Sequence, residues 1–447
     1  MKRILSFLIT VLFVLVMPCA VSADTSVPVL DDTNFDTYSQ AYVVIDASTG
    51  QVLLEKNMNS RMYPASITKI MTCALALERA DLTDRLVMSE YAVSSVARSS
   101  SHIALTAGEE ISVEDAVMAT QLASANDAAN GIAEHIGGSV EMFCALMNKT
   151  ARQAGAHNTN FTNANGLEDE NHYTTAYDMA MITRYALSVE GFREVFGAAD
   201  YTMQSTNNQP EQRFFGTQHH MIVYSYYQYK GAWGGKLGWT PQANHTAVTI
   251  AKRDGKELVC VVMDSKTKWE KYKDTKKLLD YCFNNLQTVT VSAQIERIKN
   301  IPVIDGTNVV GVARLPEQAV SYQLFVPEGV TQQDIDVSYN TKISYAAGEQ
   351  ITPEVCFRIA QDAVSTDIYA APLVCEVIMD DSQQSKVLSA TEVMAGVDEE
   401  NIRPARVTLP VIIASVLVGL LLLFMLLRVI VQWYYRRKRT KIRKLRY

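Results

Sequence analysis

A chain of 447 residues with a formal net charge of −7 has room for two soluble domains plus appendages, so core size limits nothing about its function. Thirteen basic residues at the two ends (Lys2, Arg3, Arg403, Arg406 and nine from Arg428 to Tyr447) mask the balance of the rest. Without them residues 24–402 carry −20, which argues against nucleic acid or other polyanions as partners. The cysteine spacings match no metal motif, and no pattern calls for a metal or a cofactor.

The N-terminus reads Lys2-Arg3, an apolar run from Ile4 to Met17 and Val21-Ser22-Ala23, a secretory signal over residues 1–23 with cleavage after Ala23. Pro18 before Cys19 disfavours a lipoprotein signal. From Ala41 to Glu55 two β-branched runs flank Asp46-Ala47-Ser48-Thr49-Gly50, which predicts a hairpin. Helical spacing of apolar residues follows over Ile67 to Ala80, Val113 to Leu122, Ala128 to Ile136, Val140 to Ala154 and Thr175 to Ser188. Strands return at Thr246 to Lys252 and Glu257 to Asp264 around Asp254-Gly255, a strong hairpin turn, before a closing helix from Lys271 to Leu286. Strand, helices, strands, helix predicts an α+β fold: an antiparallel sheet flanked by a helical cluster.

Residues 287–380 alternate Val, Thr, Ile and Tyr with polar residues and predict a small all-β domain; 381–406 read as a polar stalk. Residues 407–427 are 21 uncharged positions, long enough at about 1.5 Å per residue to span a roughly 30 Å hydrocarbon core, which predicts a C-terminal transmembrane helix. Nine basic and no acidic residues follow at 428–447, a cytoplasmic tail that leaves residues 24–286 outside the membrane as the catalytic domain. Trp433, Tyr434 and Tyr435 are expected at the inner headgroup level. Of the six cysteines of the mature chain, Cys73 and Cys144 read as buried thiols; pairing of Cys260 with Cys282 and of Cys356 with Cys375 stays open.

The chemistry concentrates in three segments. Ser66 and Lys69 lie three apart on one helix face, just after Pro64, where backbone N–H groups and the helix dipole favour a developing oxyanion. Lys69 is flanked by Ile67, Ile70, Met71 and Ala74; desolvation, and a second ammonium at Lys236, lower its pKa so that the neutral amine serves as general base. Ser124 and Asn126 stand between two helices, the hydroxyl placed to relay a proton and the amide to bind a peptide group. Lys236-Leu237-Gly238-Trp239-Thr240 follows three glycines and reads as an edge strand to which a peptide adds, with Lys236 for its carboxylate. Alone, each has a plainer reading: an N-capping serine with a solvated lysine, ordinary cap residues, a surface lysine in a turn. All three in order change that balance.

Arg61-Met62-Tyr63-Pro64-Ala65-Ser66-Ile67-Thr68-Lys69-Ile70-Met71-Thr72, Ser124-Ala125-Asn126-Asp127, Asn165-Gly166-Leu167 and Gly235-Lys236-Leu237-Gly238-Trp239-Thr240 closely resemble the serine-type D-alanyl-D-alanine carboxypeptidases among the low-molecular-mass penicillin-binding proteins. The resemblance covers about residues 36 to 286. It implies a β-lactamase/transpeptidase-like fold and a cell-wall enzyme of peptidoglycan biosynthesis. In it Ser66 forms an acyl-enzyme, Lys69 is the base, Ser124 relays the proton, Asn126 and Lys236 to Thr240 bind substrate, and β-lactams inhibit. The backbone N–H groups of Ser66 and Trp239 form the implied oxyanion hole. Leu237 departs from the usual threonine, whose hydroxyl helps hold the substrate carboxylate. Losing such a bond costs about 1.5–3 kcal/mol, so a weakened or retuned enzyme is expected, with Leu237→Thr raising kcat/KM.

Three rivals share these motifs. A β-lactamase of the best-known class needs a Glu-directed water, and no E-x-x-L-N segment lies between Asn126 and Lys236. A degenerate peptidoglycan-sensing protein fits Leu237 but not the intact Ser66, Lys69, Ser124, Asn126 and Lys236. A transpeptidase is disfavoured by the single modest catalytic region.

Overall fold

The computed structural model describes residues 29–30, 36–293, 300–305, 308–315, 320–341, 344–346, 351, 353–361, 364–373 and 375–379, all within one compact unit, residues 1–387. The predicted leader (1–23), stalk, transmembrane segment (407–427) and basic tail lie outside the described residues. Among the described residues no helix is long and apolar enough to cross a membrane.

The first hairpin is β1 (Ala41–Asp46) and β2 (Val52–Lys56). A 3-10 turn, Ala65–Thr68, leads into α1 (Lys69–Arg79), whose residues 69–76 are all buried, Lys69 and Thr72 among six apolar side chains. Around it come β3 (Arg85–Val87), α2 (Glu90–Ser94), β4 (Glu110–Ser112), α3 (Val113–Leu122), α4 (Asn126–Gly137), α5 (Val140–Gln153), α6 (Ala176–Ser188), α7 (Phe192–Phe196), β5 (Asp200–Met203) and β6 (Arg213–Gly216). A capping box starts α3: Ser112 and Asp115 each bond the other's backbone N–H, fixing where that helix begins. The predicted helices match closely; the short pairs β3–β4 and β5–β6 and the five-residue helices were too brief to show a period.

Three strands follow, β7 (Ala232–Thr240), β8 (Asn244–Arg253) and β9 (Lys256–Ser265), then α8 (Glu270–Asn285). The five antiparallel strands order β2-β1-β9-β8-β7, which leaves β7 at the edge as the motif order required. Alternation sorts side chains between two cores. Val43, Ile45, Val248, Ile250, Val259 and Val261 face the helical cluster, while Tyr42, Val44, Ala247, Cys260 and Val262 face α8.

Beyond α8 the described elements are strands and one 3-10 turn: β10 (Leu286–Ala293), β11 (Asn300–Asp305), β12 (Asn308–Arg314), β13 (Val320–Pro327), β14 (Ile335–Asn340), β15 (Tyr345–Ala346), β16 (Glu354–Gln361), β17 (Val364–Pro372) and β18 (Glu376–Met379). They enclose their own core around Phe357, Val355 and Leu324. The Gln51 side-chain amide exchanges two 2.8 Å bonds with the Phe325 backbone, and Tyr369 Oη donates to the Thr49 carbonyl, so the β1–β2 turn is clasped by this region. All six described cysteines are free thiols. Dithiothreitol is therefore expected to leave the Tm unchanged, checked by thermal melts with and without it.

Candidate active site

Lys69 opens α1 and reaches back over the preceding turn: its Nζ donates to Ser66 Oγ at 2.9 Å. It also donates to Asn126 Oδ1 at 2.7 Å and to the Asn165 carbonyl at 2.5 Å. The side chain is wholly buried. Burial holds its ammonium well below the ordinary lysine range, and the nearby Lys236 ammonium pushes the same way. Lys236, itself buried, is lowered to about 8 by desolvation. Cys73, one turn beyond Lys69, is a thiol pushed up to about 12 by burial and stays un-ionised. An amine with little affinity for a proton thus sits in hydrogen-bond contact with a hydroxyl at the start of a helix, the arrangement a serine nucleophile needs.

The backbone that presents Ser66 is strained and tightly packed. Ala65 has φ +51°, a conformation that costs a residue with a Cβ about 1–3 kcal/mol. Two glycines admit this bend. A Cβ on Gly238 would lie 2.9 Å from the Ser66 nitrogen and 2.4 Å from Thr246 Oγ1, and one on Gly166 would lie 1.9 Å from the Ala65 carbonyl oxygen. Thr246 Oγ1 in turn donates to the Pro64 carbonyl, tying β8 to the same turn. Edge strand and nucleophile are therefore in backbone contact, close enough for a peptide along β7 to meet Ser66.

Asn126 begins α4, a helix without a side-chain cap; its own N–H donates to the Ser101 carbonyl, and Asp127 accepts from the N–H groups of Ile103 and Leu105. Loop 101–105 thereby fixes the end of α4 that carries Asn126. Ser124 has φ +55°, and among the described residues its hydroxyl is not a partner of Lys69. The third contact of Lys69 Nζ goes instead to the Asn165 carbonyl, from the loop before α6.

Lys236 and Gly238 pair with Val248 and Thr246 and point to the helical side. Leu237 pairs with Ala247, and Trp239 with His245, so the pleat turns both to the α8 face; Leu237 is half-buried there against the second core. The deficit expected from Leu237 therefore concerns the outer rim of the strand, not the cluster of Ser66, Lys69 and Lys236. Thr240 Oγ1 accepts from the Ala243 N–H and serves the β7–β8 turn.

Sequence reasoning assigned no role to loop 159–174, which completes the site. Asn165 Nδ2 donates to Asn130 Oδ1 on α4, and Thr72 Oγ1 donates to the Ala164 carbonyl. His172 is buried and lowered to about 4, hence neutral at pH 7. Its Nδ1 accepts from the Thr162 N–H at 3.1 Å, so Nε2 carries the proton and donates to Thr68 Oγ1 at 2.9 Å. The signal there was Asn165-Gly166-Leu167, one of the segments of the family resemblance, which gives no role and says nothing of a lysine almost a hundred positions away. His172→Phe keeps the ring but leaves Thr68 and the Thr162 N–H unpaired. It is expected to cost about 1–3 kcal/mol, read from the denaturant midpoint.

The profile of the family described as D-alanyl-D-alanine carboxypeptidase matches residues 27–267. The chain is 32% identical over 312 residues to the D-alanyl-D-alanine carboxypeptidase DacF of Bacillus subtilis, covering 68% of this chain and 77% of that one. Against DacA of Haemophilus influenzae, a carboxypeptidase of the same description, the figures are 29%, 75% and 84%. Among solved structures, penicillin binding protein 5 from Haemophilus influenzae superposes with a TM-score of 0.60 at 28% identity, over 78% of this chain and 98% of that chain.

Proposed function

Because the chain belongs to the D-alanyl-D-alanine carboxypeptidase family, we propose that the cluster around Ser66 removes the terminal D-alanine from peptidoglycan stem pentapeptides. The protein is a serine-type carboxypeptidase that binds β-lactams. The observation that carries this reading is the 2.9 Å bond between Ser66 Oγ and the fully buried Lys69 Nζ.

The steps follow from the residues. The terminal D-Ala-D-Ala lies along β7 with its carboxylate near the Lys236 ammonium. Lys69, entering as the neutral amine, takes the Ser66 proton as Oγ attacks the carbonyl carbon of the penultimate D-alanine. The charge on the carbonyl oxygen is met by the backbone N–H groups of Ser66 and Trp239, a donor type worth about 3–4 kcal/mol where one has been removed. When the C–N bond breaks, the proton held by Lys69 passes to the leaving amine, with the Ser124 hydroxyl as relay once a bound substrate reorders the contacts. D-Alanine departs and water hydrolyses the Ser66 ester, again with Lys69 as base. A β-lactam opens by the same attack but keeps its leaving amine tethered.

The two lysines impose opposite demands on pH. Lys69 must be neutral, so kcat/KM falls on the acid side as it takes up a proton. Lys236 must be charged, so KM rises as pH passes about 8 and its ammonium is lost. A pH profile of D-alanine release checks this. Lys236→Arg, charged throughout, is expected to move the alkaline limb upward.

The setting is part of the same proposal: a leader at 1–23, a span at 407–427 and a basic tail hold the enzyme at the membrane with its site facing the wall, supported by the length and charge pattern of those segments. Protease added to intact cells should then remove the catalytic region. The activity itself is tested by incubating the protein with a pentapeptide ending in D-Ala-D-Ala, quantifying free D-alanine, and labelling in parallel with a fluorescent penicillin. Absence of both release and label overturns the reading.

A further inference from the structure

The segment between β6 and β7 reads His219-His220-Met221-Ile222-Val223-Tyr224-Ser225-Tyr226-Tyr227-Gln228-Tyr229, four tyrosines in six residues. Tyr224 and Tyr226 are 97% and 94% exposed. Rings so open to water contribute little to the fold, and grouped ones mark a surface that meets a partner. Tyr227 stacks on Trp269, just ahead of α8, with centroids 5.2 Å apart and planes at 11°, and Tyr226 stands edge-on to Tyr227 at 5.1 Å. Lys268 Nζ lies 4.4 Å from the centre of the Trp269 ring.

Two polar side chains stand beside these rings. Lys271 is 4% exposed, and its Nζ lies 5.2 Å from the Tyr272 ring. His245 Nδ1 is buried without a partner, and its ring lies 6.2 Å from that of Trp239, which is 58% exposed. Trp239 and His245 share the α8 face of the sheet, one residue along β7 from Gly238, where the strand touches Ser66.

We propose that this surface of Tyr224, Tyr226, Tyr227 and Trp269, edged by Lys268 and Lys271, binds the amino-sugar chain to which the stem peptide is attached, an inference that rests on the function proposed above. Flat exposed rings match the C–H faces of pyranose sugars, while hydroxyl and acetamido groups need both donors and acceptors. The exposed Lys268 ammonium donates, and the exposed Tyr224 and Tyr226 hydroxyls both donate and accept. Charge agrees: within a region of −20, residues 266–277 hold six lysines against Glu270 and Asp274, a complement to the carboxylates of neighbouring stem peptides on the same chain. Tyrosine, tryptophan and lysine also mark membrane interfaces. Position favours the sugar chain: Trp239, paired with His245, lies one residue along β7 from Gly238, beside the cluster that works on the stem peptide attached to that chain.

The test uses the full chain in detergent micelles and the double variant Tyr224→Ala/Tyr226→Ala, whose side chains are too exposed to support the fold, together with Trp269→Ala. Peptide-free glycan strands are the binding probe, so this arm is independent of catalysis. The wild-type protein is expected to bind them and the variants to bind roughly tenfold more weakly, the loss of one or two ring contacts. With uncrosslinked glycan-linked pentapeptide KM should rise by a similar factor, while kcat and KM on free pentapeptide and the rate of β-lactam acylation stay as they were. Wild-type protein that ignores glycan strands, or variants that bind them equally well, overturns the proposal. So does a loss confined to anionic lipid vesicles, which makes the patch a membrane contact. Failure to release D-alanine from free pentapeptide would strike the proposed function instead, and the glycan-binding arm still reads out.

Discussion

Lys69→Ala is expected to lower both D-alanine release and β-lactam acylation by about 10³-fold or more, within the range a positioned general base contributes. The reason is local. Among the described residues Ser66 Oγ has Lys69 Nζ as its hydrogen-bond partner, and His172 is turned to Thr68. A serine hydroxyl without a base is a poor nucleophile at neutral pH. Truncation also leaves Asn126 Oδ1 and the Asn165 carbonyl without their donor, so some stability is lost as well. Lys69→Arg separates the effects, since a guanidinium can still donate to these oxygens but stays charged and cannot take a proton. Both variants should be slow, with arginine closer to the wild-type melting temperature. Acylation by a fluorescent penicillin at the wild-type rate in either variant would remove Lys69 as the base, while Ser66→Ala should abolish labelling outright.

The second large effect belongs to a residue that touches no substrate. Gly166→Ala places a Cβ 1.9 Å from the Ala65 carbonyl oxygen and 2.4 Å from its carbon, at φ +82°. Both obstacles are backbone, so no side chain can swing aside, and the turn that presents Ser66 must move. An expected cost of several kcal/mol follows, and because a misplacement of about 1 Å can cost about a hundredfold in rate, acylation should fall at least that far. Gly138→Ala is the matched control: φ is +72° but nothing lies within 4 Å, so only the left-handed conformation is penalised, at about 1–2 kcal/mol. Denaturant midpoints and acylation rates of the two variants distinguish collision from conformation. Equal losses would mean that the Ala65 contact is not what makes Gly166 necessary.

Much of this was readable along the chain. The helix over 113–122 has the limits its apolar spacing foretells, and the edge position of β7 follows from a glycine-rich strand next to a hairpin. The short pairs β3–β4 and β5–β6 were not readable, since three or four residues show no period and their pairing is set by what packs over them. The same holds at the site. Ser66 and Lys69 are three apart, so helix geometry alone joins them, whereas Lys69 and Asn165 are 96 apart and meet only because Thr72 and the His172–Thr68 bond dock loop 159–174 on α1.

The chemical groups are written in the chain: a serine, an amine three residues on, a second ammonium, and the glycine-rich edge that lets a peptide approach. Their contacts were decided by tertiary structure. Burial, not composition, lowers the proton affinity of Lys69, because desolvation depends on every element packed around α1. Packing made Asn165 and not Ser124 the third partner of that amine. The register of β7 against β8 sent Lys236 inward and Leu237 outward, because a strand's side chains alternate faces and only pairing with its neighbour fixes which face is which.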